Sequence, residues 1–316
     1  MTPHVTRLAP SPTGALHLGN ARTFLLNFLL SRQRGWRMLL RVEDLDGPRV
    51  KAAATGEMLQ ILRWLGLEWE EPIVYQSQRA PVYRAALEQL IAAGAAYPCT
   101  CSRKDAELAG GAPHADDPVS TYPGTCRGRW KTVDDIPEAS RRAVSWRVRV
   151  PAEPIVFDDA FAGPQGFDLE RTCGDFVVFR GAGTAAYQLA VVLDDAAAGV
   201  DQVVRGDDLL ESGARQIHLR RLLGLSPEPT YWHVPLVVGP DGRRLAKRHG
   251  DTRLSHYRRR GVTAQRILGL LGYWSGLLER RRETEADDLL ARFDLARVPS
   301  ERVVFTPDDD AFLLGR

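Results

Sequence analysis

Two stretches far apart in the chain hold the residue types that triphosphate chemistry needs. Near the N-terminus a short apolar segment, Val5 to Ala9, runs into Pro10-Ser11-Pro12-Thr13-Gly14 and then Leu16-His17-Leu18-Gly19-Asn20. The prolines keep that loop out of helix, so a helix is expected from about Leu18 with a histidine and a glycine at its start. Unpaired amides and the positive end of the helix dipole make such a start an anion site, and Gly19 lets a nucleotide approach the backbone. Downstream, Gly242-Arg243-Arg244-Leu245-Ala246-Lys247-Arg248-His249-Gly250-Asp251 is a basic loop flanked by glycines. Its lysine can swing onto phosphates as charge builds in a transition state. A histidine at a helix start is more often a cap, and a basic loop more often a solvated turn. Together, in this order and with a strand before the first, the two are far more specific.

A second group of residues suits a metal. Cys99, Cys101 and Cys126 lie close together, and in a chain without secretory features thiols at such spacing read as metal ligands before disulfides. Thiolates favour zinc, and a structural zinc site wants four ligands. On chemistry alone His114 is the preferred fourth ligand, with the phenol of Tyr122 also at plausible spacing. The alternative is three small buried hydrophobes. Cys173 stands apart and reads as a core residue.

These groups need a frame to hold them. Helices are expected at about 18–34, 52–66, 79–94, 209–223 and 262–274, and strands at 5–9, 38–42 and 176–180, with a further strand at 186–193. The alternation predicts an α/β fold, a Rossmann-like nucleotide-binding parallel sheet with helices on its faces. From Tyr97 to about Trp146 the chain turns rich in Gly, Pro and Asp and poor in aliphatics, as expected of an insertion that leans on a metal for stability. The expected organisation is a catalytic unit of residues 1–96 and 170–225, a zinc-bearing insertion at 97–169, and a small, mostly helical region at 226–316 that carries the basic loop.

Composition narrows the class. In 316 residues, 44% are hydrophobic and no apolar run is long enough to span a bilayer. The N-terminus has no basic-then-apolar leader, so a cytoplasmic protein is expected. Lys+Arg 42 against Asp+Glu 40 confines any nucleic-acid surface to local patches, and Arg258–Arg260 and Arg280–Arg282 are the candidates. Gly181-Ala182-Gly183 after a strand mimics a dinucleotide fingerprint, but the alternating run that follows reads as strand, so the turn reads as a hairpin. No lysine follows a glycine, which excludes a phosphate loop of the Gly-Lys-Ser/Thr type. Arg7, Arg205 and Glu43, the last at a strand end, carry charge and Tyr187 a phenol, and on their own each reads as an ordinary surface ion pair or a packed ring.

The segments Arg7–Gly14, His17-Leu18-Gly19-Asn20, Arg41-Val42-Glu43-Asp44-Leu45-Asp46 and Arg244-Leu245-Ala246-Lys247-Arg248 together resemble the signatures of class I glutamyl-tRNA synthetases, through nearly the whole chain. The likeness is closest to that family's truncated paralogues, which glutamylate the queuosine base of tRNA(Asp) and activate glutamate without tRNA. It departs at Asn20, where a second histidine is usual, and at Ala246 and Arg248, where serines are usual. The resemblance implies His17, Gly19, Asn20 and Lys247 in catalysis, with His17, Gly19 and Lys247 on ATP. It implies Arg7, Ser11, Glu43, Tyr187 and Arg205 on glutamate, and Cys99, Cys101, Tyr122 and Cys126 on one structural Zn2+. Implied partners are ATP with Mg2+, L-glutamate and queuosine-bearing tRNA(Asp), acted on by a monomer. The chain stops at Arg316, soon after the basic loop, so no anticodon-binding domain of ~100–150 residues is expected. Alternative activities are a glutamyl-tRNA synthetase lacking that domain, an adenylyltransferase for another small acid, and an RNA-binding module without catalysis.

Overall fold

The strand Val5–Leu8 (β1) leads into the helix Leu18–Arg34 (α1), followed by Arg37–Val42 (β2), Ala52–Trp64 (α2), Glu70–Tyr75 (β3) and Ala80–Ala92 (α3). This is the computed structural model, which describes residues 3–12, 15–45, 52–102, 121–141, 144–181, 183–243, 245 and 250–316. β1, β2 and β3 form a parallel ladder in that order. Sequence sets the ends of α1. His17 and Asn20 make a reciprocal capping box, and Gly35 closes the helix at φ 64°, where a side chain would be strained.

The chain continues through Ala96–Cys99 (β4), Glu138–Arg141 (α4), Ser145–Val148 (β5), Ile155–Asp159 (β6), Gly163–Phe167 (β7), Leu169–Thr172 (α5) and Phe176–Phe179 (β8). β4, β5 and β8 form an antiparallel ladder, and β6 and β7 a hairpin. Next come Tyr187–Ala197 (α6), Gln202–Gly206 (β9), Leu210–Leu222 (α7) and Thr230–Val234 (β10), with β9 and β10 parallel. Asp201 ties β9 to the start of β1: its N–H donates to the Val5 carbonyl at 3.1 Å and its carboxylate accepts from the Val5 N–H at 2.8 Å. The two parallel ladders therefore stand side by side in the order β3-β2-β1 and β9-β10, and the chain reverses its direction of travel between β1 and β9. Ligands of open parallel sheets sit at such a switch point, beyond the carboxyl ends of the strands.

Alternation along β2 explains the two cores. Met38, Leu40 and Val42 join one, with Leu8, Leu25, Leu29 and Leu62, while Leu39 packs against the other, with Tyr83, Leu87, Leu90, Leu189 and Ile217. The first core also takes in the C-terminal elements Val237–Val238 (β11), Leu254–Arg259 (α8), Ala264–Trp274 (α9), Ala286–Ala291 (α10), Val303–Val304 (β12) and Pro307–Leu314 (α11) through Leu254, Tyr257, Leu271, Trp274 and Leu313. No helix among the described residues is long and apolar enough to cross a membrane.

One expected element is wrong. The strand at 186–193 is the helix α6. Its apolar run is buried on most sides, so no helical period marks it and its alternation read as strand; the acidic pair at its end is buried too. The absence of a helix therefore cannot exclude a dinucleotide fingerprint at Gly181. What excludes it is β8, which belongs to an antiparallel ladder and not to a parallel βαβ unit.

Candidate functional site

The start of α1 is built by His17. Its Nδ1 accepts from the Gly19 N–H at 3.1 Å and the Asn20 N–H at 3.4 Å, and Asn20 Oδ1 accepts from the His17 N–H at 3.4 Å. The histidine is thus a cap; with Nδ1 accepting, the ring proton of the neutral form lies on Nε2. A Cβ on Gly19 would sit 3.1 Å from His17 Cε1, so the glycine makes room for the imidazole as well as for any ligand. Asn20, where a histidine was the usual residue, completes the cap.

Backbone hydrogen bonds bring the segment that follows the distal loop to this point. Leu18 N–H donates to the Thr252 carbonyl at 3.0 Å, and Leu254 N–H to the Leu16 carbonyl at 2.9 Å. Leu245, on the other flank, is buried in the first core. Lys247, with Arg244, Ala246, Arg248 and His249, lies outside the described residues, as does His114.

A cavity of about 490 Å³ opens at the switch point. Arg7, Ser11, His17, Gly19, Asn20, Glu43, Tyr187 and Arg205 all line it. These eight residues come from β1, the loop after it, the start of α1, the end of β2, the start of α6 and the end of β9. Spacing in sequence could not show that they meet.

Buried charge behind the cavity holds the first of these in place. Asp195 on α6 accepts from Arg7 Nε at 3.1 Å and from Arg41 NH1, while Arg41 NH2 donates to Glu43 at 3.1 Å. Asp194 beside it takes Gln76 at 2.9 Å, Arg79 at 2.5 Å and the Tyr83 hydroxyl at 2.8 Å. Burial opposes ionisation of Asp195, but Arg41 and Arg7 outweigh it and hold its carboxyl below the usual carboxylate range. Burial likewise pushes the Glu43 carboxyl up, and Arg41 only partly offsets this. A cationic group arriving at Glu43 would favour its charged form. Sequence reasoning passed over Arg41, Asp194 and Asp195; the available signal was two adjacent acids ending a fully apolar run.

Arg205 is held differently. Its Nε donates to His233 Nε2 at 2.8 Å and its NH1 to Gln216 Oε1 at 2.7 Å, whereas NH2 is buried with no hydrogen-bond partner among the described residues. An unpaired buried guanidinium nitrogen costs on the order of 1–3 kcal/mol unless an acceptor reaches it. Tyr187, partly buried at the start of α6, has its phenol pushed up by burial and by Glu43.

The cysteine cluster forms a separate site. Cys99, Cys101 and Cys126 sulfurs lie within 4.8 Å of one another, all as free thiols. The Tyr122 hydroxyl sits 3.4 Å from Cys99 Sγ and 4.0 Å from Cys101 Sγ, and Cys101 and Cys126 are 3.6 Å apart. Zinc–sulfur bonds of ~2.3 Å in a tetrahedron put ligand atoms roughly 3.8 Å apart, so this donor set fits zinc. Gly174 brings the tyrosine in: at φ 64° its Cα faces the Tyr122 carbonyl, which a Cβ would meet at 2.1 Å. Arg147 stacks 3.7 Å over the Tyr122 ring and donates to Cys99 Sγ at 3.3 Å, a second cation that sequence reasoning missed. Cys173 is buried in the second core, as expected.

The basic runs are partly spoken for. Arg258 lies over the Trp64 ring, Arg259 is 3.6 Å from Glu57, and Arg281 is 2.7 Å from Asp309.

Comparison with known proteins places this geometry. A family model described as tRNA synthetases class I (E and Q), catalytic domain, matches residues 4–301. The chain is 45% identical over 325 residues to the glutamyl-Q tRNA(Asp) synthetase of Rhodopirellula baltica, covering 96% of this chain and 97% of that protein. To the protein of the same name from Symbiobacterium thermophilum it is 45% identical over 320 residues, 98% of each. Among solved structures, a glutamate tRNA ligase of Elizabethkingia meningosepticum in complex with its amino acid aligns with a TM-score of 0.79 at 23% identity, over 99% of this chain and 69% of that one. At that identity the likeness speaks for the fold.

Proposed function

Because this chain belongs to the class I tRNA synthetases of the glutamate and glutamine group, a family of ligases, we propose that it activates L-glutamate with ATP, without tRNA, and then glutamylates the queuosine base of tRNA(Asp). The observation that carries the first step is the cavity at the switch point. It joins two buried cations, Arg7 and Arg205, and one acid, Glu43, to a capped helix start. The second step is supported by the name that the two relatives share.

In this reading the glutamate ammonium meets Glu43, and the carboxylates meet Arg7 and Arg205 with Ser11 and Tyr187. The α-carboxylate oxygen attacks the α-phosphorus of ATP, the bond to the pyrophosphate oxygen breaks, and glutamyl-adenylate forms. His17 through its Nε2–H, the positive end of α1 at Gly19, Asn20 through the cap, and Lys247 hold the phosphates, so the chemistry is positioning and electrostatics. Mg2+ arriving with ATP offsets the remaining phosphate charge. A queuosine hydroxyl then attacks the mixed anhydride, loses its proton, and AMP departs. Residues 1–96 and 170–225 form the catalytic unit, 97–169 the zinc-bearing insertion and 226–316 the region that faces the RNA stem. Cys99, Cys101, Tyr122 and Cys126 would hold the zinc, whose part is structural.

The test is glutamate-dependent ATP–pyrophosphate exchange with no RNA, followed by locating labelled glutamate on RNA. Exchange without tRNA and label on the queuosine of tRNA(Asp) are expected; exchange only with tRNA, or label at the 3′ end of tRNA(Glu), overturns the reading. Lys247→Ala lowers the exchange rate more than about tenfold with the fold retained, as expected of a group acting in the transition state. An unchanged rate removes the lysine from the mechanism.

A further inference from the structure

We propose that Asp159 and His233, neither of which lines the cavity, are positioning residues that fix the donor direction of Arg205 and thereby select a carboxylate over an amide as its ligand. The inference rests on the reading that Arg205 meets a substrate carboxylate, and adds what makes it do so.

Both side chains are fully buried, Asp159 at the end of β6 and His233 on β10. Asp159 Oδ1 accepts three backbone N–H groups, from Phe161 at 3.0 Å, Ala162 at 2.7 Å and His233 at 3.1 Å. Its Oδ2 lies 2.6 Å from His233 Nδ1. A carboxylate only accepts, so Nδ1 carries the ring proton and Nε2 is left as an acceptor. That acceptor takes the Arg205 Nε–H at 2.8 Å. On the other side Arg205 NH1 donates to Gln216 Oε1, Gln216 Nε2 donates to Gln188 Oε1 at 2.9 Å, and Gln188 Nε2 donates to Ser212 Oγ at 3.0 Å. Every bond in both chains runs one way. Arg205 is pinned along two edges, and the nitrogen left over, NH2, has only hydrogens to offer. An acceptor-only oxygen pair matches it; an amide must turn its own N–H groups away from it.

The polarity can be reversed without changing shape. In Asp159→Asn the three backbone N–H groups hold the amide oxygen where Oδ1 was, so the amide NH2 faces His233 Nδ1. The imidazole must then accept at Nδ1 and carry its proton on Nε2. The Leu209 carbonyl, 3.1 Å from Nε2, is waiting for that proton. Arg205 Nε–H then meets a ring nitrogen that no longer accepts. The same logic makes the aspartate-to-asparagine change in a serine-protease triad enforce the wrong tautomer.

The test uses the full chain in glutamate-dependent pyrophosphate exchange. Asp159→Asn is expected to raise KM for glutamate about tenfold or more, to leave kcat within about threefold, and to narrow the preference for glutamate over glutamine. His233→Gln, whose carbonyl can take the Arg205 Nε–H while its NH2 reaches Leu209, is expected to stay near the native KM, and His233→Leu is not. Arg205→Ala serves as the reference. An unchanged KM in Arg205→Ala overturns the pocket assignment itself. A raised KM in Arg205→Ala with a native KM in Asp159→Asn, whatever its melting temperature, overturns this inference alone. Should Asp159→Asn fail to fold, equal KM values in His233→Gln and His233→Leu overturn it.

Discussion

Replacing Asp195 by Asn is the sharpest test of the charge balance behind the cavity. The side chains of Asp195, Arg7 and Arg41 are 5%, 5% and 4% exposed, so solvent does little to screen them. The substitution keeps the shape and one acceptor but removes the charge that two buried guanidiniums share. Removing one partner of such a pair costs about 3–5 kcal/mol, and the retained acceptor argues for the lower end, about 3 kcal/mol. With an unfolding entropy of about 2.1 cal/mol/K per residue, a chain of 316 residues should lose about 5 °C of melting temperature. Calorimetry at neutral pH measures this. Glu68→Gln is the control: it breaks the exposed pair with Arg32, at 77% and 45% exposure, and should shift melting by less than about 1 °C. Because the Asp195 carboxyl titrates below its unfolded value, its contribution is complete above about pH 4 and fades as pH falls through the folded value. The gap between native protein and variant should therefore hold from pH 5 to 8 and close in acid. If Asp195→Asn melts within about 1 °C of the native protein at neutral pH, the network is not balanced as described.

Gly19→Ala should lose most pyrophosphate exchange because the new Cβ displaces the His17 ring, and should melt within about 2 °C of the native protein, since alanine's helix preference of about 0.5–1 kcal/mol is offset by a weakened cap of about 0.5–2 kcal/mol; native exchange would contradict the crowding. Elemental analysis should find about one zinc per chain, absent from Cys126→Ala, with a lower melting temperature in the metal-free protein; equal zinc in both would remove the cluster as its site. Since burial raises the Glu43 carboxyl and an ammonium needs it ionised, KM for glutamate should climb as pH is lowered toward the carboxylate range. Glu43→Gln should have a high KM that no longer varies there; a parallel pH profile in both proteins would assign the titration elsewhere.

The site was legible in the sequence to an uneven degree. His17, Gly19 and the Cys99–Cys126 cluster announce themselves through local spacing, because a helix cap and a chelate are made by residues near in the chain. Arg7, Glu43, Tyr187 and Arg205 were nameable as charges and a phenol, but their meeting depends on β1, β2, α6 and β9 lying side by side. α6 was misread because a helix buried on most faces displays no helical period, which left its alternation to read as strand. The same misreading hid Asp194 and Asp195, which the sequence left unmarked and which are anions of the interior. Arg147 and the Asp159–His233 pair gave no local signal at all.

What the chain determines on its own is therefore local: where α1 starts and stops, which thiols share a small loop-rich segment, and that strands alternate with helices. Each follows from interactions over a few residues, which sequence order preserves. Tertiary structure alone decides the rest: the order of the β3-β2-β1 and β9-β10 ladders, the cavity at the reversal between them, and the partner of every buried charge. A buried charge is tolerable only if an opposite charge or a directed hydrogen bond reaches it, and for Arg7, Arg41 and Arg205 those partners come from strands and helices brought together only by folding.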